Sequence, residues 1–120
     1  MRLIDLEPKW LFLNGERVGF IFRCPLEPNN ALRRQTCFFL VLDHEQQVSA
    51  LCESYQIDRE AIYDQLHNIQ LCVEFAWVVP LPQKLEYATF ETISVMPSLD
   101  GSKGGNWHGF ITDGKIVGGI

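Results

Sequence analysis

Two dipeptides that favour tight turns, Asn14-Gly15 and Asp113-Gly114, place the strongest constraint on the fold of this chain. Asn-Gly and Asp-Gly pairs tolerate positive φ, so they commonly connect the strands of β-hairpins. β-prone runs flank each pair, "WLFL" and "RVGFIF" at the first and "WHGFIT" and "KIVGG" at the second. The sequence therefore predicts a hairpin near each end of the chain, the first one with strands at Lys9–Leu13 and Arg17–Arg23.

The residues between these hairpins change their hydrophobic period. "TCFFLVLD" is apolar enough for a third, central strand, whereas His44 to Tyr55 has apolar residues at helical spacing. Asp58 is typical of the N-cap of a second helix. Further strands are predicted at "CVEFAWVV" and "ATFETISVM". The predicted fold class is α+β, a mostly antiparallel sheet of β-hairpins with a two-helix insertion at about residues 44–69.

Length and composition predict one domain, residues 1–120. Because 47% of the residues are hydrophobic and 21% are charged, the chain can build a core of its own. The N-terminal sequence "MRLIDLEPKW" lacks the apolar run of a signal peptide, and no apolar stretch is long enough to cross a bilayer. We therefore expect a cytoplasmic protein that has no membrane partner.

The four cysteines, Cys24, Cys37, Cys52 and Cys72, contain no C-x-x-C pair. Structural zinc sites usually draw on closely spaced ligands, so the spacing predicts free thiols in the core and neither a metal nor another cofactor. A metal site formed by Cys24, Cys37 and His108 is a weaker alternative.

Negative charge is concentrated in one segment. Asp43 to Asp64 contains six acids and one base, while acids and bases balance in the rest of the chain. Arg33-Arg34 is the only adjacent basic pair, which argues against nucleic acid as a partner. We interpret the acidic segment as a solvated helical face. The alternative is that a non-catalytic accessory protein docks a basic partner there.

Seven of the nine glycines lie in the C-terminal segment "PSLDGSKGGNWHGFITDGKIVGGI". If a strand ending at Met96 pairs antiparallel with one beginning at Trp107, the connection is a glycine-rich loop at residues 97–106. Ser98 and His108 then lie near its two ends, where opposed Cβ atoms are about 5 Å apart. A hydroxyl that meets an imidazole in this way predicts an activated oxygen nucleophile.

The glycines of this segment suggest two further roles. The backbone N–H groups of Gly104 and Gly105 are expected to be free to face a developing oxyanion. Gly109 has no side chain and would leave room for a substrate chain beside His108. The alternative is that the loop is a simple connector and that His108 has a structural role.

Other residues near the predicted Ser–His pair remain open to interpretation. Ser102 is a second hydroxyl in the same loop, and Trp107 is either a core residue or a platform for the substrate. Asp100 is expected in the loop, where its side chain would cap a turn. The sequence therefore predicts a Ser–His dyad without a fixed acid.

Three segments, "LEPKWL", "GFIFRCP" and above all "PSLDGSKGGNWHGFITDGKIVGG", resemble a family of small phage and bacterial proteins long described as a domain of unknown function. Some bacterial members are encoded in operons for ubiquitin-like conjugation, the Bub systems. There the BubE-like proteins are regarded as serine-type peptidases that act on the ubiquitin-like protein. The resemblance covers the two ends of the chain and is greatest to the phage-borne branch.

The resemblance implies a role for two residues. The Pro-Ser step of the family falls on Pro97-Ser98 and its Trp-His-Gly step on residues 107–109, which implies Ser98 as nucleophile and His108 as general base. It also implies a phage-encoded peptidase, active in the bacterial host, for a ubiquitin-like or other Gly-rich C-terminal tail. Relatives often carry Cys or His after the Cys-Pro step, where this chain has Leu26-Glu27-Pro28, so a metal-supported site is not implied. The segment from Asp43 to Ile69 has no counterpart in the family.

Overall fold

Seven strands in two sheets and two helices in mid-chain form an α+β fold in a computed structural model that describes residues 1–119. The predicted fold class is confirmed. Ile120, the last residue of the predicted domain, lies outside the described residues.

The larger sheet has four strands in the order β1 (Lys9–Leu13), β2 (Glu16–Arg23), β3 (Arg34–Phe38) and β4 (Ile69–Gln70). β1 and β2 form the predicted hairpin, in which Asn14 and Gly15 have φ angles of 54° and 80°. Glu53 accepts hydrogen bonds from the backbone N–H groups of both turn residues. β3 starts and ends earlier than "TCFFLVLD" predicted, and it pairs parallel with β4.

The smaller sheet has three antiparallel strands in the order β5 (Leu99–Asp100), β6 (His108–Thr112) and β7 (Lys115–Val117). Asp113 and Gly114 connect β6 to β7 with φ angles of 49° and 72°, which confirms the second predicted hairpin. The strand that pairs with the start of β6 is β5 and not the predicted strand that ends at Met96, so the connecting loop is shorter than the predicted residues 97–106.

The two helices begin where the sequence predicts them. α1 (His44–Tyr55) has the predicted bounds, and its N-cap Asp43 forms a capping box. α2 (Arg59–Tyr63) follows the predicted N-cap Asp58. The helical insertion is shorter than predicted, because Ile69 belongs to β4 and not to a helix.

Two predicted strands are absent from the described part of the chain. "CVEFAWVV" and "ATFETISVM" are joined by an isolated bridge between Val78 and Met96 and form no continuous ladder. Pro80 and Pro82 interrupt the backbone after the first segment. Their apolar residues still fill the core, as the burial of Trp77 and Val95 shows.

Two hydrophobic cores lie on opposite faces of the larger sheet. One core packs α1 and α2 against this sheet, and it includes Leu11, Ile21 and Leu51. The other core includes Phe22 and Ile111 and fills the space between the two sheets. The smaller sheet thus buries one face and leaves the other exposed. No helix within residues 1–119 is long and apolar enough to span a membrane.

Candidate active site

Three polar side chains converge on the exposed face of the smaller sheet. The register of β5 and β6 pairs Asp100 directly with His108 and Leu99 with Gly109. Because side chains alternate along an extended chain, Ser98 is on the same face as Asp100. The pairing of β5 with β6 therefore brings a hydroxyl, a carboxylate and an imidazole to one surface.

The two ring nitrogens of His108 face different partners. Ser98 Oγ lies 3.4 Å from His108 Nε2, and Asp100 Oδ1 lies 3.8 Å from His108 Nδ1. The first distance is at the long end of the hydrogen-bonding range, and the second is an ion-pair distance. Hydrogen bonds of catalytic groups are often long before substrate binds. The order of the groups, hydroxyl at Nε2 and carboxylate at Nδ1, is that of a Ser–His–Asp triad.

Ser102 stabilises the carboxylate form of Asp100. It donates two hydrogen bonds to Asp100 Oδ1, from its hydroxyl at 2.6 Å and from its backbone N–H at 3.0 Å. These hydrogen bonds, helped by the charges of His108 and Lys103 and opposed by desolvation, lower the pKa of Asp100 below its ordinary value. Ser102 is thus a partner of Asp100 in this structure. The negative charge favours the imidazolium that forms when His108 accepts a proton.

Sequence reasoning missed the position of Asp100 opposite His108. β5 has only two residues and is followed directly by Gly101, so the residues around Asp100 carry no strand pattern. The Ser-x-Asp spacing was the available signal, because residues two apart in an extended chain have side chains on one face.

The expectation that Gly104 and Gly105 offer free N–H groups is wrong in this conformation. The Gly104 N–H donates to the Gly101 carbonyl at 3.1 Å, and the Gly105 N–H donates to the Ser102 carbonyl at 3.0 Å. Both bonds belong to a 3₁₀ turn over Ser102–Gly104. The turn therefore occupies the two N–H groups that were expected to face an oxyanion.

Gly109 makes room for Trp107 and not for a substrate. Trp107 is fully buried, and its Nε1 donates to the Gly118 carbonyl at 2.7 Å. A Cβ added at Gly109 would lie 2.4 Å from Trp107 Cζ2 and 2.6 Å from the Val117 carbonyl oxygen. The core interpretation of Trp107 is confirmed, and the substrate-platform interpretation is wrong.

The side-chain contacts of Ser98, Asp100 and His108 involve no cysteine. Cys24 and Cys37 are fully buried, and all four thiols are free. Burial raises the pKa of both Cys37 and Cys72, which makes these thiols poor nucleophiles. Within residues 1–119 no group of three His, Cys, Asp or Glu residues is arranged to hold a metal. The alternative site of Cys24, Cys37 and His108 is wrong, because the thiols are in the core and His108 is on the surface.

Most acids of the helical segment have intramolecular partners. Asp43 and Asp58 are N-caps, and Glu53 binds the turn of the first hairpin. Glu45 pairs with Arg59 at 3.0 Å. Most acids of this segment therefore have structural roles within the chain.

Comparisons of the chain with protein-family models, with curated proteins and with solved structures found no match. The resemblance to the Bub-associated family therefore stays a prediction.

Proposed function

We propose that this protein is a serine-type hydrolase in which Ser98 is the nucleophile, His108 the general base and Asp100 the carboxylate that orients the ring. The observation that carries the proposal is the position of the imidazole between two different groups, with Nε2 3.4 Å from Ser98 Oγ and Nδ1 3.8 Å from Asp100 Oδ1. A surface hydrogen bond between Ser and His alone would be expected equally in a structural role. A charged carboxylate at the other nitrogen orients the ring and stabilises the imidazolium, which supports the role of His108 as a base.

In the proposed reaction, Ser98 Oγ attacks a substrate carbonyl carbon while His108 Nε2 accepts the hydroxyl proton. Asp100 offsets the charge of the resulting imidazolium. The imidazolium gives its proton to the leaving amine as the bond between carbon and nitrogen breaks, which leaves an acyl group on Ser98. Water, deprotonated by His108, then hydrolyses this ester and restores the serine.

We propose an extended protein tail as the substrate, such as the Gly-rich C-terminal tail of a ubiquitin-like protein. The side chains of His108 and Asp100 are 52% and 56% exposed on an open sheet face, which suits a chain that lies across the surface. The resemblance of the C-terminal segment to the Bub-associated family supports the same substrate class.

The proposal includes a location in the bacterial cytoplasm and a mechanism without a metal or other cofactor. Four free thiols are in keeping with a reducing compartment. The alternative, an accessory protein that docks a partner through its acidic helices, has less support. Four of the six acids in that segment already have hydrogen-bond or ion-pair partners within this chain.

A fluorophosphonate probe tests the proposal. Attack by Ser98 Oγ on phosphorus displaces fluoride and forms a stable ester, so we expect the wild type to be labelled and Ser98→Ala to remain unlabelled. Ser49→Ala is the matched control, because it removes another partly exposed serine hydroxyl, on α1, and should label at the wild-type rate. Ser102→Ala should still label, but more slowly, because Asp100 loses one of its two hydrogen bonds from Ser102. An unlabelled wild type, or labelling that survives in Ser98→Ala, would contradict the proposal.

A further inference from the structure

Two glutamines of the larger sheet contact both ends of the crossover between Asp100 and His108. Gln35 in β3 and Gln70 in β4 are direct partners in the parallel ladder. Gln70 Nε2 donates to the Asp100 carbonyl at 3.2 Å. Gln35 Oε1 accepts from the Trp107 N–H at 3.1 Å, and Gln35 Nε2 donates to the Trp107 carbonyl at 3.1 Å. That carbonyl belongs to the peptide bond that leads into His108.

We propose that Gln35 is a positioning residue, which sets the location of the His108 ring relative to Ser98 and Asp100 through its two hydrogen bonds to Trp107. The inference rests on the proposed function, because the position of the ring matters most if it transfers a proton. Gln35 is only 2% exposed, so water does not compete for these hydrogen bonds. A side chain that both donates to and accepts from one residue fixes that residue in orientation as well as in distance.

The packing around Gly101 supports this assignment. Its N–H donates to the Trp107 carbonyl at 3.0 Å, which closes the crossover. A Cβ at Gly101 would lie 2.3 Å from Gln70 Oε1 and 2.9 Å from Gln35 Nε2. Glycine at this position therefore allows both glutamine side chains to approach the crossover backbone.

The test compares two substitutions of Gln35 with a matched substitution of another buried glutamine. Gln35→Leu removes both hydrogen bonds to Trp107. Gln47→Leu is the control: Gln47 is also fully buried, and its amide donates to the carbonyls of Leu42 and Cys72. We expect Gln35→Leu to slow fluorophosphonate labelling on the order of tenfold to a hundredfold, because a displaced base loses its alignment. Gln47→Leu should lower stability comparably and label at the wild-type rate.

Gln35→Glu adds a readout that a merely structural role would not give. A protonated carboxyl can accept from the Trp107 N–H and donate to its carbonyl, as the amide does, whereas a carboxylate has no proton to donate and repels the carbonyl. The labelling rate of this variant, divided by that of the wild type at the same pH, should be near one at low pH and fall as the glutamate ionises. All rates are measured below the unfolding temperature of each variant.

An NMR measurement separates this inference from the proposed function. We expect a nuclear Overhauser contact between the His108 ring and the Ser98 β-protons in the wild type and in Gln47→Leu, and its loss in Gln35→Leu. If the wild type is not labelled, the proposed function fails, and this contact still decides whether Gln35 positions the ring. A contact retained in Gln35→Leu, a pH-independent rate ratio in Gln35→Glu, or equal slowing in Gln47→Leu would overturn the inference.

Discussion

Substituting Gly109 with alanine tests why a glycine lies beside His108. One explanation is that it makes room for the indole of Trp107, and the other is that it leaves room for a substrate. The added methyl would lie 2.4 Å from Trp107 Cζ2 and 2.6 Å from the Val117 carbonyl oxygen. Neither neighbour can move freely, because the indole donates to Gly118 and the carbonyl belongs to β7. The variant must therefore shift the indole or distort the β6–β7 pair.

The cost follows from these contacts. Overpacking by one methyl typically costs about 1–3 kcal/mol, and displacing the indole would remove a hydrogen bond whose net contribution is about 1 kcal/mol. We expect the free energy of unfolding to fall by about 2–4 kcal/mol. At about 4 °C per kcal/mol for a chain of this size, Tm should fall by about 8–16 °C.

Urea denaturation and calorimetry measure this loss, with Gly104→Ala as the control. A Cβ at Gly104 would meet only Asn106 Nδ2, at 3.3 Å, and a shift of a few tenths of an ångström relieves this contact. We expect the control to change stability by less than about 0.5 kcal/mol. If Gly109→Ala is as stable as the wild type and slows only the reaction with substrate, the packing explanation is refuted.

Three further predictions concern the candidate site and α1. Asp100→Asn should slow fluorophosphonate labelling at least about tenfold, because an amide does not offset the charge of the imidazolium; an unchanged rate would remove Asp100 from the mechanism. Ser102→Ala should raise the pKa of Asp100 towards its ordinary value, as followed by NMR titration of the carboxyl carbon. A lowered pKa in the folded state stabilises the protein above the unfolded-state pKa of Asp. The pH-dependent part of the difference in unfolding free energy between the wild type and Ser102→Ala should therefore be full at neutral pH. It should vanish as the pH falls through the folded-state pKa of Asp100. A difference that is the same at neutral and at acidic pH would argue against this prediction. Asp43→Ala should lower the free energy of unfolding in urea by about 1 kcal/mol, because α1 loses its N-cap; no loss would show that the capping box contributes nothing.

The elements that depend on short-range sequence patterns, such as turn dipeptides and helical spacing, were predicted correctly. The turn dipeptides at Asn14-Gly15 and Asp113-Gly114 gave both hairpins, and the helical spacing after Asp43 gave α1 with its bounds. The segments around Trp77 and Val95 were assigned wrongly as strands. Their apolar residues fill the core between the sheets, and core packing alone does not require a continuous ladder.

The candidate site was predictable only in part. Spacing brought Ser98 and His108 together, and the structure places them within 3.4 Å of each other. The register that pairs Asp100 with His108 depends on how the crossover closes, which involves Gln35 and Gln70 from the other sheet. Contacts between residues so far apart in sequence leave no local pattern. The role of Gly109 depends on tertiary packing against Trp107 and Val117. The N–H groups of Gly104 and Gly105 are instead used by a local 3₁₀ turn that the glycine-rich sequence does not indicate.

The most direct test of the central claim is to locate the fluorophosphonate adduct by mass spectrometry after digestion with trypsin. Cleavage after Lys84 and Lys103 yields the peptide Leu85–Lys103, and fragmentation within it distinguishes Ser98 from Ser94 and Ser102. A triad predicts one adduct, on Ser98, that is lost in His108→Gln. An adduct on another serine, or one on Ser98 that forms equally well in His108→Gln, would contradict the claim.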